Sequence, residues 1–170
     1  MLPYSYNIKY NNELDDKCEY MEITIRQADG LPKQIEQLAA LATKEGYQFI
    51  QRLIDEYESG KNRFDQTGEC LMLAYDQEQL VGCGGLNQQW GDTGVENRIG
   101  RVRRFYVHPK YRQHGVGKLL LLALEKNARS HYSALCLNTE ITGAVQFYQK
   151  HNYVYVESHP NYNYFKYLIA

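Results

Sequence analysis

The stretch that most constrains the fold is residues 105–118, which read FYVHPKYRQHGVGK. A strand-like run ends at Pro109, which cannot donate a backbone hydrogen bond to a sheet, and an apolar, helix-like run begins after Gly117. The basic turn between them holds two glycines, where the backbone can turn tightly and point successive N–H groups at a ligand. The positive N-terminal end of the helix favours an anion at the same place. The segment therefore predicts a strand–turn–helix unit that binds a pyrophosphate, with a plain turn carrying solvated charges as the alternative.

Two other phosphate-binding motifs do not fit the chain. A P-loop has a glycine where this chain has Arg112 and a serine or threonine where it has Leu119. Residues 82–87 begin like the dinucleotide motif G-x-G-x-x-G, but they end in Asn87 and open no helix. The sequence thus argues against a P-loop NTPase and against a dinucleotide-binding fold, and we expect these glycines to serve close strand packing.

Apolar periodicity predicts the remaining elements. The predicted strands lie near residues 21–26, 71–75, 79–86, 100–107, 134–137, 153–157 and 164–169, and the predicted helices near 32–43, 45–58, 118–128 and 142–150, the last with Thr142 as its cap. Strands alternate with helices in the second half, which favours a mixed sheet with helices packed on it. We expect one domain over residues 21–170, preceded by an N-terminal extension of residues 1–20.

Composition excludes several classes of protein. The formal net charge of −1 argues against coating nucleic acid or membranes by bulk electrostatics. The first 20 residues lack an apolar segment of the signal-peptide kind, and the longest wholly apolar run, residues 119–124, is too short to span a membrane. The four cysteines have neither zinc-like nor disulfide-scaffold spacing: Cys18, Cys70, Cys83 and Cys136. The sequence therefore predicts a cytoplasmic protein with no metal.

A family resemblance now becomes specific. The run RQHGVG at residues 112–117 resembles the Q/R-x-x-G-x-G/A motif of the GCN5-related N-acetyltransferase (GNAT) family. The preceding FYVHPKYR is similar to the family's fourth strand and turn, and AVQFYQK at residues 144–150 resembles its later A-x-x-F-Y-x-K helix. The resemblance covers residues 21–170 and is strongest over 102–153. It implies the acyl-CoA N-acyltransferase fold, an α/β (α+β) domain with about four helices flanking a mixed, mostly antiparallel sheet of about seven strands.

The resemblance implies that the chain is an acetyltransferase that uses acetyl-CoA, which would lie in a gap between the predicted fourth and fifth strands. The residues implied to bind it belong to the fourth strand, the glycine turn and the end of the fifth strand: Phe105, Tyr106, Val107, Arg112, Gln113, His114, Gly115, Val116, Gly117, Lys118, Asn138 and Thr139. Backbone N–H groups from Gln113 to Lys118 would hold the pyrophosphate.

The resemblance implies a general acid but does not identify a general base. The resemblance implies Tyr148 as general acid, because a phenol is protonated at neutral pH and can donate to the departing CoA thiolate; a core tyrosine is the alternative. Some relatives carry a glutamate early in the fourth strand where this chain has Arg101. The general base stays open between a water and three candidates: Glu96, His108 and Glu140.

The acceptor is implied to be a primary amine of a small molecule or peptide, bound near residues 47–64 and 158–167. Arg63 in that region is a hypothetical contact for an acceptor carboxylate, with a solvated arginine as the alternative. The chain departs from the family pattern at Ile141, where many relatives have asparagine, and at Asn152, which replaces a glycine but tolerates a left-handed backbone.

Alternative functions can be stated from the same residues. Six basic residues form a segment that could bind nucleic acid: Arg98, Arg101, Arg103, Arg104, Lys110 and Arg112. A pyrophosphate and a ribose phosphate on the cofactor explain several of these charges without nucleic acid. A non-catalytic acyl-CoA sensor or interaction module keeps the fold without the chemistry. A homodimer is expected from family habit alone.

Overall fold

The computed structural model describes residues 4–12, 17–90 and 98–168. Its strands are β1 (Tyr4–Asn12), β2 (Lys17–Gln27), β3 (Cys70–Asp76), β4 (Gln79–Gln88), β5 (Ile99–Val107), β6 (Ala134–Leu137), β7 (Val154–Tyr155) and β8 (Tyr164–Tyr167). Its α-helices are α1 (Ile35–Lys44), α2 (Phe49–Glu58), α3 (Val116–Ala128) and α4 (Thr142–Lys150). A short 3-10 turn, Pro109–Tyr111, follows β5.

The strands form one mixed sheet in the order β1-β2-β3-β4-β5-β6-β8-β7. The β5–β6 pair is parallel, and the remaining ladders between described strands are antiparallel. A parallel pair needs a crossover, which α3 supplies between β5 and β6. This arrangement confirms the predicted fold class, with seven strands and four helices where the sequence placed them and β1 in addition.

Two apolar cores lie on opposite faces of the sheet. On one face α3 contributes Leu120, Leu121 and Leu124, which are fully buried against residues of β2, β3 and β5. On the other face α1 and α2 pack through their buried leucines and isoleucines against β3 and β4. Because successive strand residues point to opposite faces, each central strand feeds both cores, and its side chains divide between the two helical layers.

The N-terminal stretch departs from what the sequence suggested. Residues 1–20 were set apart as an extension without assigned elements, yet β1 pairs with β2 along its whole length, and β2 begins at Lys17 rather than near residue 21. Ile8 of β1 is partly buried against the core beneath α3. Residues 4–10, YSYNIKY, alternate tyrosine or isoleucine with polar residues, so a strand signal was present in the sequence and was missed.

Local details also differ from prediction at the start of α4 and near residue 155. Ile141 occupies the N-cap of α4 without a side-chain hydrogen bond, and Thr142 is the first helical residue, so the predicted cap at Thr142 is wrong. The strand predicted over 153–157 is only the two residues of β7. Both differences concern the ends of elements, where boundaries commonly vary by one or two residues.

Candidate functional site

The parallel pair β5–β6 separates part-way along the sheet. Its pairing runs from Ile99 opposite Ala134 to Arg101 opposite Cys136 and then stops, although β5 continues for six more residues, 102–107. No described strand pairs with that part of β5 on the β6 side. Backbone groups on an unpaired strand edge are free to bind an extended ligand. The gap predicted between these strands is therefore present, with Phe105, Tyr106 and Val107 along one side.

A bulge in β5 accompanies the separation. Arg104 has a left-handed backbone, with φ of 56°, and the pairing register with β4 shifts between Cys83 and Gly85. A bulge bends its strand and increases the local twist. Beyond it Phe105 lies on the face of α3 and α4, where its ring centroid is 5.8 Å from that of Phe147, whereas Tyr106 is buried among residues of α1 and α2.

The glycine turn lies at the end of β5, directly before α3. Gln113 and Gly115 both have left-handed backbones, with φ of 65° and 87°, and Gly115 is the N-cap of α3. A Cβ on Gly117 would lie 3.4 Å from the ring of Phe147, so a side chain there would occupy the space between the turn and α4. These features leave the first N–H groups of α3 without helical partners, as an anion site requires. The turn is thus built as predicted, and its residues His114, Val116 and Lys118 stay predicted ligands.

Arg112 makes a different contact from the one its motif suggests. Its guanidinium forms two hydrogen bonds with Glu45, Nη1–Oε1 at 2.6 Å and Nη2–Oε2 at 2.7 Å, and its Nε donates to the carbonyl of Val107 at 2.9 Å. The Tyr106 hydroxyl donates to the same carboxylate at 2.5 Å. The hydrogen bonds from Arg112 hold the pKa of Glu45 below its usual value. The side chain of Arg112 therefore anchors the turn to the C-terminal end of α1.

Tyr148, the predicted general acid, is buried within α4. Its ring makes edge contacts with Phe105 and Tyr153, at centroid distances of 6.0 and 5.4 Å. Among the described residues its hydroxyl has no hydrogen-bond partner, and burial raises the pKa of Tyr148 above the usual 10. A neutral buried phenol beside the free part of β5 is suited to donating a proton. This environment is compatible with the predicted role, and Tyr148 stays the predicted general acid.

The other side of the gap is formed by the segment after β6. Thr139 is held by Asn163: the Thr139 N–H donates to Oδ1 at 3.0 Å, and Nδ2 donates to the Thr139 carbonyl at 2.8 Å. Asn138 is exposed. These bonds fix the predicted cofactor-lining residues to the connection between β7 and β8, the part of the chain implied in acceptor binding.

The candidate bases are divided among different places. His108 follows β5, and burial together with the nearby Lys110 and Arg112 lowers its pKa, so its imidazole is neutral near pH 7. Its Nδ1 accepts a hydrogen bond from the Lys110 N–H at 3.1 Å. Glu140 is exposed after β6, and Glu96 lies outside the described residues. The general base stays open.

At least half of the basic residues in and around β5 bind other groups of the protein. Arg104 is buried and forms an ion pair of 2.8 Å with Glu56 of α2. Arg101 donates through Nη1 to Gln89 at 2.9 Å and to the carbonyl of Asn161 at 2.8 Å. With Arg112 held by Glu45, at least three of the six basic groups are turned to protein partners. This arrangement does not present a continuous phosphate-binding surface and argues against the nucleic-acid alternative.

Arg63 also has a structural contact. Its Nε donates to the carbonyl of Tyr57 at 3.2 Å, at the C-terminal end of α2, and the side chain is exposed. A cation there interacts favourably with the helix dipole. The geometry favours the alternative of a surface arginine over an acceptor contact.

Sequence reasoning missed two acidic residues that organise the site. Glu45, the C-cap residue of α1, binds Arg112, and Glu56 of α2 binds Arg104, 67 and 48 residues further along the chain. Both resemble ordinary helical surface acids in the sequence, because the helix periodicity shows only that they flank apolar positions. The one available signal was that acidic residues in α1 and α2 precede an arginine-rich strand.

The described residues show neither a membrane-spanning helix nor a cluster of metal ligands. Within residues 4–12, 17–90 and 98–168, no helix has the length and apolarity that crossing a membrane requires. The same described part of the chain contains no group of three or more His, Cys, Asp or Glu side chains placed to hold a metal ion. Cys70, Cys83 and Cys136 are buried and form no disulfide within the described residues, and burial raises the pKa of Cys70 and Cys83 to about 12.

Comparison with known proteins gives the family. Residues 67–155 match the model of the acetyltransferase (GNAT) domain. The uncharacterized N-acetyltransferase YjcF of Bacillus subtilis is 36% identical over 83 residues, which are 48% of this chain and 54% of that protein, so the match spans about half of the relative.

Solved structures agree with this result. A putative acetyltransferase from Exiguobacterium sp. 255-15 has a TM-score of 0.76 and 29% identity, covering 86% of this chain and 94% of its own. A GNAT-family acetyltransferase from Staphylococcus aureus Mu50 has a TM-score of 0.67 at 17% identity, covering 86% and 99%, and shows likeness of fold alone. The fold, the glycine turn at the start of α3 and the family model together show that this chain belongs to the GCN5-related N-acetyltransferase family.

Proposed function

We propose that this protein transfers the acetyl group of acetyl-CoA to a primary amine of a small molecule or peptide by direct attack. The observation that carries the proposal is the separation of β5 from β6 beside the glycine turn of α3. One place thus offers an unpaired strand edge for an extended amide-containing arm and a helix N-terminus for a pyrophosphate. The donor supplies a thioester carbonyl that an amine can attack.

The residues fit such a donor. Backbone N–H groups of residues 113–118 bind the pyrophosphate, and backbone groups of β5 bind the pantetheine arm. The carbonyl of Val107 is less available to the pantetheine arm, because it already accepts a hydrogen bond from Arg112. Asn138 and Thr139 line the opposite side. A Cβ at residue 117 would be in van der Waals contact with the ring of Phe147, so a larger side chain there would enter the space beside the turn.

The chemistry needs one proton delivered and one removed. The amine nitrogen forms a bond to the acetyl carbon, the carbon–sulfur bond breaks, and the thiolate takes the hydroxyl proton of Tyr148. The excess proton on the nitrogen leaves to water or to a nearby base. Tyr148 suits its role because burial keeps the phenol neutral, and in the described residues no protein acceptor competes for its proton.

Calorimetric titration with acetyl-CoA tests the proposal. Gly117→Glu places a side chain and a negative charge against Phe147, and we expect it to weaken micromolar binding by more than about tenfold. Gly30→Glu is the control, because a Cβ at Gly30 meets nothing within 4 Å. Circular dichroism melting confirms that both variants fold.

Each result has a meaning. Binding by the intact protein and by Gly30→Glu, lost in Gly117→Glu, supports the cofactor site and justifies following CoA release with a panel of amines. The intact protein failing to bind acetyl-CoA would refute the proposal. Binding without turnover of any amine would favour the sensor function. Cell fractionation and light scattering test the predicted cytoplasmic location and homodimer.

A further inference from the structure

The bulge in β5 brings three arginines to the face of the sheet that carries α2. Arg101 reaches Asn161 in the β7–β8 connection, and Arg104 reaches Glu56 in α2. Arg103 lies between them in the strand. These side chains therefore occupy the space between the second helix and the last hairpin, where the resemblance places the acceptor.

Arg103 differs from its two neighbours in having no partner. Its Nε is fully buried, and its guanidinium forms neither a hydrogen bond nor an ion pair with any described residue. Buried polar groups in proteins are nearly always satisfied, so a buried Nε without a partner is unfavourable. Burial and the neighbouring Arg104 lower the pKa of Arg103, which is the electrostatic sign of that unfavourable position. A group kept in such a state is typical of a ligand-binding residue.

The surrounding charges indicate which ligand would relieve it. The charges that act on Arg103 are two arginines, 101 and 104, and two glutamates, 56 and 69. Glu56 is committed to Arg104, and the Glu69 carboxylate accepts a hydrogen bond from the Gln88 N–H at 3.2 Å. With Arg103 included, three positive charges face two negative ones. One negative charge completes the cluster, and a carboxylate matches both that charge and the fork of a guanidinium.

We propose that Arg103 is a specificity residue which binds a carboxylate on the amine acceptor, so that the acceptor belongs to the class of amino acids rather than simple amines. The proposal rests on the acetyltransferase function above and moves acceptor recognition from the exposed Arg63 to a half-buried residue of β5. Arg101 already donates hydrogen bonds to uncharged groups. Its positive charge favours the same acceptor carboxylate without contacting it.

Paired acceptors test this assignment. Each pair differs only by a carboxylate, such as phenylalanine and 2-phenylethylamine, lysine and 1,5-diaminopentane, or 6-aminohexanoate and pentylamine. We expect kcat/KM of the intact protein to favour the carboxylated member by at least about tenfold. Arg103→Gln should remove about 10- to 100-fold from the carboxylated member and leave the other unchanged, with Arg103→Lys in between.

Arg98→Gln is the matched control, since Arg98 is an exposed arginine adjacent to the same strand. Calorimetry with acetyl-CoA tests the acetyltransferase function separately from the role of Arg103. If the intact protein does not bind acetyl-CoA, the acetyltransferase function itself fails. If it does bind, the kinetic results bear on acceptor recognition alone. We expect the melting temperature of Arg103→Gln to equal or exceed that of the intact protein, because a half-buried guanidinium without a protein partner is removed.

Three results would overturn the assignment while leaving acetyl transfer intact. The first is a preference of the intact protein for the decarboxylated amines. The second is an equal loss on both members of each pair in Arg103→Gln, with a lower melting temperature, which marks a structural residue. The third is bound acetyl-CoA with no turnover of any carboxylated amine in the panel.

Discussion

Arg112 and Glu45 join the glycine turn to the end of α1 through two parallel hydrogen bonds, Nη1–Oε1 at 2.6 Å and Nη2–Oε2 at 2.7 Å. Tyr106 donates to the same carboxylate from the adjoining strand. The planar guanidinium thus donates a hydrogen bond to each carboxylate oxygen, which fixes the relative orientation of the two side chains. The proposed cofactor turn is consequently fixed from outside the turn itself.

Replacing Glu45 should have a small, pH-dependent effect on stability. The side chain of Arg112 is 40% exposed, so solvent screens the pair, and we expect Glu45→Gln to lower the free energy of unfolding by about 1 kcal/mol at pH 7. The folded pKa of Glu45 is depressed, so its stabilisation is present above the unfolded value near 4.5 and is lost as pH falls through the lower folded value. Urea unfolding at pH 7, 5 and 3.5 measures the difference between variant and intact protein.

Glu58→Gln is the control for that series, since Glu58 is exposed at the end of α2 and should show little difference at any pH. A difference for Glu45→Gln that is constant from pH 7 to 3.5 would contradict the contribution of its ionised form.

Removing one oxygen from Tyr148 should separate catalysis from folding. We expect Tyr148→Phe to lower kcat by about 100-fold or more, the usual contribution of a general acid, with acetyl-CoA affinity unchanged. Stability should not fall, because the hydroxyl has no hydrogen-bond partner among the described residues. Steady-state kinetics, calorimetry and thermal melting give the three readouts.

Tyr132→Phe is a matched control: Tyr132 is also buried, and its hydroxyl also lacks a partner in the described part of the chain. It lies outside the proposed site and should retain full kcat. Equal activity of the two variants would assign Tyr148 to the core.

The pH dependence of kcat offers an independent measurement of the acid. Burial raises the pKa of Tyr148 above 10, so the phenol stays protonated through the neutral and mildly alkaline range. We expect kcat to rise with pH as a proton is lost from the amine or the base, and then to stay level up to about pH 10. A fall in kcat centred below pH 9 that is absent from Tyr148→Phe would show a tyrosine with a lowered pKa and contradict this expectation.

Arg104 and Glu56 form a largely buried ion pair whose removal should lower stability. Their side chains are 6% and 15% exposed, and they are 2.8 Å apart. Burial raises the pKa of Glu56. The hydrogen bond and the charge of Arg104 lower that pKa by a larger amount, so it lies below its usual value. Removing either partner leaves a buried charge unpaired, so Arg104→Gln or Glu56→Gln should each lower the free energy of unfolding by about 3 kcal/mol.

The double variant Arg104→Gln, Glu56→Gln should lose less than the sum of the single losses, because neither charge is left alone. Urea denaturation of the four proteins gives the coupling energy, with Asp55→Asn as an exposed control on α2. Additive losses would mean that the two groups do not stabilise each other.

Much of the site could be predicted because its signals are local. The glycine turn shows itself in six consecutive residues, since left-handed backbone favours glycine and the apolar run after it predicts a helix. Gln113 shares the left-handed conformation without any such signal. Strand β1 was missed although residues 4–10 alternate tyrosine or isoleucine with polar residues, and its pairing with β2 identifies it in the structure.

The arginines of β5 mark the limit of local reasoning most clearly. Strict alternation predicts that Arg103 and Arg104 point to opposite faces of the sheet. The bulge at Arg104 cancels that alternation, so Glu56 acts on both of them. Only the register with β4 reveals the bulge, because it is the partner strand that fixes which residue is extra.

The sequence by itself determined the order of the helices and of strands β2 to β8, the class of the sheet and the glycine turn before α3, because each follows from apolar periodicity or from backbone freedom within a few residues. Tertiary structure alone decided which charges meet: Arg112 with Glu45, Arg104 with Glu56, and Arg103 with no described partner. Charged side chains show no periodicity that identifies a distant partner, and their pairing depends on how far each strand and helix is shifted when the apolar faces pack together.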